Sequence, residues 1–125
     1  MESAFTYFKN EANVNLTRAV EAIKKDKRPE TRQHAKQTIW SAYDLYKRAL
    51  AVSGIDNLQK SSIWKNKIKI FETLLTIEES TSLQLFYFDR CVRAMDKAIY
   101  FGIGCQQGTW MQELVGRGAG LMDTL

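Results

Sequence analysis

The residues that could support acid–base, nucleophilic or metal chemistry are few. The 125-residue chain has one histidine, His34, and two cysteines, Cys91 and Cys105. A di-iron helical bundle needs an inward Glu-x-x-His pair on each of two helices, and a single histidine cannot supply both. No two of the three residues lie at a spacing typical of zinc ligands. The sequence therefore predicts no metal site and no cofactor.

A cysteine nucleophile with a nearby base is the catalytic possibility that is left. Cys91 falls on the predicted inner face of a helix, where a thiol behaves as a small apolar residue. Cys105 lies in a glycine-containing segment and can react with His34 only if the fold brings the two together. Residues 102–108 differ from a dinucleotide-binding loop, because their glycines have the wrong spacing and follow a helix. We therefore expect a protein without catalytic residues. An enzyme that uses Cys105 and His34 ranks third, after the two binding hypotheses given below.

Four apolar stripes at helical spacing fill the chain before residue 102. Helix-breaking residues are scarce there, since Pro29 is the only proline and six of the seven glycines lie at or after position 102. Pro29 fits the first turn of the second helix. Gly54 fits the left-handed position just after that helix. Thr81 and Gln84 have the spacing of a capping box at the start of the fourth helix.

This pattern predicts an all-α fold, an antiparallel up-down four-helix bundle over residues 1–103. Residues 104–125 form a Gly-rich tail that can contain a short helix over residues 110–115. The tail either covers one end of the bundle or docks on a partner.

The third and fourth helices have broad apolar faces. On the third, Lys67 and Glu78 fall in the middle of the apolar arc, so we expect the arc to be two stripes with this pair at their boundary. The predicted inner face of the fourth helix consists of Leu83, Leu85, Tyr87, Phe88, Cys91, Val92, Ala94, Met95, Ala98 and Ile99.

Charge is concentrated in the middle of the chain. The net charge is +4, but residues 18–69 contain 13 Lys and Arg against five Asp and Glu. The predicted connection between the first two helices is surrounded by a basic cluster of Lys24, Lys25, Lys27, Arg28, Arg32 and Lys36. With an exposed Trp40 and with Lys47, this cluster could bind phosphates and an unstacked base. An architectural nucleic-acid-binding protein is therefore the alternative hypothesis.

Aromatic residues outside the predicted core point to a protein partner, because aromatic and arginine side chains dominate interface energetics. The first hypothesis is a non-enzymatic adaptor or assembly subunit, such as a small chaperone, that binds a partner or a copy of itself. Its predicted contact residues are Trp40, Tyr43, Lys36 and Lys47 on the second helix, Phe86, Arg90 and Tyr100 on the fourth, and Trp110 in the tail.

The compartment follows from the cysteine count and the apolar runs. Two cysteines are too few for a disulfide framework, and the first 15 residues contain no apolar run of signal-peptide length. The longest apolar stretches are far shorter than the ~20 residues that span a bilayer. We expect a cytoplasmic protein with no membrane partner.

Overall fold

The computed structural model describes residues 2–102 of the chain. These residues form four helices and no strand: α1 (Ala4–Lys25), α2 (Pro29–Leu50), α3 (Asn57–Ile77) and α4 (Thr81–Gly102). The all-α fold and the four predicted helices are confirmed. The predicted tail over residues 104–125, with its short helix, lies outside the described residues. The chain divides into two compact units, one that ends at Gly54 and one that begins at Ile55.

In the first unit, α1 and α2 form an antiparallel pair joined by a three-residue connection. The register is marked by a hydrogen bond in which the Tyr46 hydroxyl donates to the side-chain oxygen of Asn13. Tyr46 is fully buried, and this burial raises the pKa of its hydroxyl. The packed faces of both helices are rich in alanine: Ala12 and Ala19 on α1 and Ala42 and Ala49 on α2 are buried. These small side chains allow a close approach of the two backbones.

In the second unit, α3 and α4 form another antiparallel pair. The buried Ser61 hydroxyl donates to the Ala98 carbonyl at 2.6 Å, and the Cys91 thiol lies 3.7 Å from the Ile68 carbonyl. These two contacts share one antiparallel register, with Ser61 and Ile68 two helical turns apart on α3. The face that α4 turns towards α3 is lined by the small residues Cys91 and Ala98, which allow a close approach of the two backbones.

Several helix starts match their sequence signals. Pro29 occupies the first turn of α2 as predicted. Asp56 caps α3, where its side chain accepts the Gln59 backbone N–H and the Gln59 side chain accepts the Asp56 N–H. Ser3 caps α1 by accepting the Thr6 N–H.

Two predicted helix ends are wrong. Thr81 is the first residue of α4 and not its cap, because the Ser80 hydroxyl accepts the Leu83 N–H. The side-chain amide of Gln84 donates instead to the Glu78 carbonyl. At the other boundary, α2 is capped by Ala51, so Gly54 lies three residues beyond the cap. Gly54 does adopt the predicted left-handed conformation, with φ of 79°.

Burial on α3 covers one broad arc, and the predicted division into two stripes is wrong. Ser61 and Ile68 lie on the side that faces α4, whereas Ile63 and Ile70 lie ~160° around the helix. The angles between these two pairs are filled by further buried residues, Phe71, Leu74 and Leu75. Lys67 lies in the middle of this arc and is itself buried, with its ammonium group 4.2 Å from the centroid of the Trp64 ring. Such a position over an aromatic face is favourable for a cation.

Candidate interaction surfaces

The most prominent apolar surface in the described part of the chain lies on α4. Eight large hydrophobic side chains of the described residues are exposed, and five of them belong to this one helix. Tyr100 is 70% exposed and Leu85 58%. We call this set the α4 surface; its members are Leu83, Leu85, Phe86, Val92 and Tyr100.

The α4 surface is larger than the sequence predicts. Tyr87, Cys91, Ala94, Met95 and Ala98 are buried as predicted, and Phe88 and Ile99 are half-buried. The assignment of Leu83, Leu85 and Val92 to the inner face is wrong, because all three are exposed. The predicted face spans more than half of the helix circumference, which is more than one packed neighbour covers. A narrower face centred on Cys91 would have separated these three from the core.

Two contacts between exposed α4 side chains join residues that are four positions apart. The Arg90 guanidinium lies 5.0 Å from the centroid of the Phe86 ring, within the range of a cation–π interaction. Arg93 donates to the Asp89 carboxylate at 2.9 Å, a pair four residues apart that contributes only a few tenths of a kcal/mol. Both contacts lie on the outer half of the helix.

Charge on the outer half of α4 is separated by sign. Helical geometry places Asp89 and Asp96 along the edge that contains Leu85 and Val92. The opposite edge, next to Phe86, contains Arg90 and Lys97, whereas Arg93 lies between the two edges and pairs with Asp89. The α4 surface therefore has an acidic side and a basic side.

Trp40, predicted to be an exposed aromatic on α2, is half-buried. It packs edge-on against Tyr43, with ring centroids 5.3 Å apart and an interplanar angle of 77°. Tyr43 and Lys36 are also half-buried, whereas Lys47 is exposed. The aromatic component of the predicted nucleic-acid surface is therefore a packed pair and not an open stacking platform.

The basic cluster at the α1–α2 connection is only partly available to a ligand. Lys24, Lys25 and Lys27 are exposed, whereas Arg32 is half-buried. Arg28 is exposed but is held by Asp26, with 2.8 Å between its Nη2 atom and the Oδ2 atom of the carboxylate. The positive charge that a ligand could reach in this cluster therefore comes mainly from Lys24, Lys25 and Lys27.

The structure describes two of the three residues considered for catalysis, His34 and Cys91. His34 is exposed on α2, and the Cys91 thiol on α4 is fully buried. Cys105 and Trp110 lie outside the described residues, so the pairing of Cys105 with His34 stays a prediction. Among residues 2–102, no group of three or more His, Cys, Asp and Glu side chains is arranged to hold a metal ion. The same residues include no helix with the length and apolar composition of a membrane span.

Function has to be inferred from these surfaces themselves. Comparison with protein-family models, with curated proteins and with solved structures finds no match to this chain.

Proposed function

We propose that this protein is a non-enzymatic helical adaptor or assembly subunit that binds another protein chain, or a second copy of itself, through the α4 surface. The supporting observation is that five large hydrophobic side chains are exposed on one helix. Single exposed apolar residues are common on monomeric proteins, but a group on one element is typical of a contact surface. Two cysteines in 125 residues are too few for a disulfide framework, which supports action in a reducing compartment such as the cytoplasm.

The energetic argument rests on the size of these side chains. Complete burial of a Leu or Phe side chain is favourable by about 1.5–3 kcal/mol. Phe86 is 44% exposed and Tyr100 70%, so a partner that covers them gains a large part of this energy. Aromatic residues lose little side-chain entropy on binding and are frequent at the energetic centre of an interface. Arg90, already stacked on Phe86, adds a charged group in a fixed position.

The separated charges restrict how two α4 helices could pair. In a parallel arrangement around a two-fold axis, the acidic edge with Asp89 and Asp96 faces the partner's basic edge with Arg90 and Lys97. In a two-fold antiparallel arrangement, each edge faces the same edge of the partner, and like charges oppose each other. A second copy is therefore expected to bind with α4 parallel to α4, and a different partner with a helix of matching charge order.

Site-specific photo-cross-linking tests the proposal. A photoreactive amino acid at Leu85 or Tyr100 should give intermolecular adducts, because these side chains lie at the contact. The same amino acid at Gln37, an exposed α2 position, is the control and should give few. The double change Leu85→Ser and Tyr100→Ser should weaken association by at least about tenfold. A strictly monomeric chain whose position 85 cross-links no more than position 37 would rule out this function.

A further inference from the structure

A groove of about 370 Å³ lies between α1 and α2, within the first unit. Its floor consists of alanines: Ala19 and Ala35 are buried, and Ala22 is half-buried. Alanine has no side-chain atoms beyond Cβ, so the two helices leave a concave strip where larger residues would have filled the space. The groove is lined by four polar residues, Asn15 and Arg18 from α1 and His34 and Thr38 from α2.

The polar residues of the groove favour a negatively charged ligand. Arg18 and His34 are exposed, so their cationic or donor groups can reach a molecule in the groove. Arginine presents paired N–H donors that match the two oxygens of a carboxylate. The Thr38 hydroxyl already donates to the His34 carbonyl at 3.2 Å. None of the described lining residues is acidic.

The charges around the groove also favour a negatively charged ligand. Residues 1–54 contain ten Lys and Arg and six Asp and Glu, whereas residues 55–125 contain eight of each. The whole net charge of +4 is therefore contributed by the first unit. Lys25 follows the groove along α1 and is exposed. A ligand in the groove therefore meets positive charge from Arg18 along the side of the groove and from Lys25 beyond the end of the groove.

The length of the groove indicates the size of the ligand. Asn15 and Ala22 are seven residues apart on α1, which corresponds to ~10 Å along the helix axis. An extended peptide advances ~3.3 Å per residue, so the groove accommodates about three residues. Their side chains would place methylene groups over the alanine floor and carboxylates at the polar rim.

We propose that this groove binds an extended acidic protein segment, with a Glu or Asp carboxylate held by Arg18 and a second one near His34. Binding of single-stranded nucleic acid also needs aromatic faces on which bases stack. None of the described residues that line the groove is aromatic. Trp40 lies ~120° around α2 from His34, so it is on a different side of the helix. The groove belongs to the first unit and does not depend on the α4 surface.

Fluorescence anisotropy with a labelled peptide of alternating Glu and Ala tests this site at low salt. Arg18→Gln removes the carboxylate-binding group, and Ala22→Leu fills the groove without a change of charge. Each should weaken binding by about tenfold, whereas Arg48→Gln, an equal loss of charge at an exposed position outside the groove, should weaken it by less than about twofold. Circular dichroism checks that each variant is folded, and Asn15→Leu replaces Ala22→Leu if the latter loses helicity.

Three outcomes would overturn the proposal. The first is no measurable binding of the peptide. The second is that Arg18→Gln and Arg48→Gln weaken peptide binding equally while Ala22→Leu leaves it unchanged. That result would indicate a general attraction between the basic protein and the acidic peptide. The third is tighter binding of an oligo-dT strand than of the peptide with the same dependence on Arg18 and Ala22, which would assign the groove to nucleic acid. Because the α4 surface is unchanged in these variants, each result is independent of the proposed assembly function.

Discussion

At the scale of single residues, one carboxylate organises the connection between α1 and α2. Asp26 accepts hydrogen bonds from the Arg28 guanidinium, from the Arg28 backbone N–H at 3.0 Å and from the Thr31 hydroxyl at 2.6 Å. The guanidinium of Arg28, followed by the Thr31 hydroxyl, holds the pKa of Asp26 well below its usual range. One member of the basic cluster thus has a structural role, which a count of charges along the sequence cannot show.

Replacement of Asp26 should alter how stability depends on pH. Because the folded-state pKa of Asp26 is lowered, its ionised form stabilises the fold above the unfolded-state pKa of about 3.8, and this contribution is lost as the pH falls below that value. The Asp26→Asn variant should therefore melt below wild type at neutral pH, and the difference should shrink in acid. Thermal unfolding by circular dichroism between about pH 7 and pH 3 measures this. Asp44→Asn, at an exposed α2 position, is the control; an equal effect there would contradict the role of Asp26.

Side-chain contacts were predictable where helix geometry alone determines them. The pairs Phe86–Arg90 and Asp89–Arg93 follow from a spacing of four residues on one helix, and both are present. The exposure of Trp40 was not predictable in this way. A large ring can turn along the helix surface onto a neighbour such as Tyr43, and the choice of rotamer is not encoded in the spacing.

At the scale of the helices, the α1·α2 contact depends on buried alanines on both helices. Ala12, Ala42 and Ala49 are fully buried, and Ala19 and Ala35 nearly so. The same choice of residue lets the helices approach closely and leaves the shallow groove at their side. Packing and the groove thus have a common origin in residue size.

A larger side chain at position 42 should destabilise the first unit. Ala42→Leu adds three carbon atoms to a fully buried site, and overpacking of a buried helix contact typically costs about 1–3 kcal/mol in the free energy of unfolding. Gln37→Leu adds a leucine to an exposed position of the same helix and should change stability by less than about 0.5 kcal/mol. Urea unfolding measures both, and equal midpoints for the two variants would show that Ala42 is not at a close helix contact.

Helix existence was more predictable than helix ends or faces. Long stripes at a period of 3.6 residues identify helices because a whole face must be apolar. The start of α4 was misplaced because Ser80 and Thr81 are both capping residues, and only the backbone conformation selects one. The α4 face was drawn too wide because apolar type alone does not say how many neighbours a helix has. Leu83, Leu85 and Val92, the residues that enlarge the α4 surface, were missed for that reason.

At the scale of the whole molecule, the two proposed contact surfaces differ in physical character. The α4 surface is apolar and is flanked by charges of both signs, whereas the groove and its surroundings are positively charged. Added salt screens attraction between exposed charges but does not weaken apolar burial. The two activities should therefore respond differently to ionic strength.

Salt titration of one protein preparation can separate the two surfaces. Between about 0.05 and 0.5 M NaCl, binding of the Glu–Ala peptide should weaken by about tenfold or more, while association through α4 should stay within about twofold. Anisotropy and light scattering measure the two quantities. The Leu85→Ser and Tyr100→Ser changes should leave peptide binding intact, and Arg18→Gln should leave the association state intact. Loss of both activities in either variant would contradict two separate surfaces.

Gly54, at the end of the first unit, has a backbone conformation that suits a D-amino acid better than an L-amino acid. Its φ of 79° is unfavourable for an L-residue, yet a Cβ atom added there meets nothing within 4 Å. The obstacle to substitution is therefore the chirality of the backbone and not lack of space. D-alanine, whose preferred conformations are the mirror image, fits this position without strain. It would also restrict the unfolded chain, as replacements of glycine do where the native conformation is allowed. A chemically synthesised protein could thus accept a mirror-image residue at the boundary between its two units.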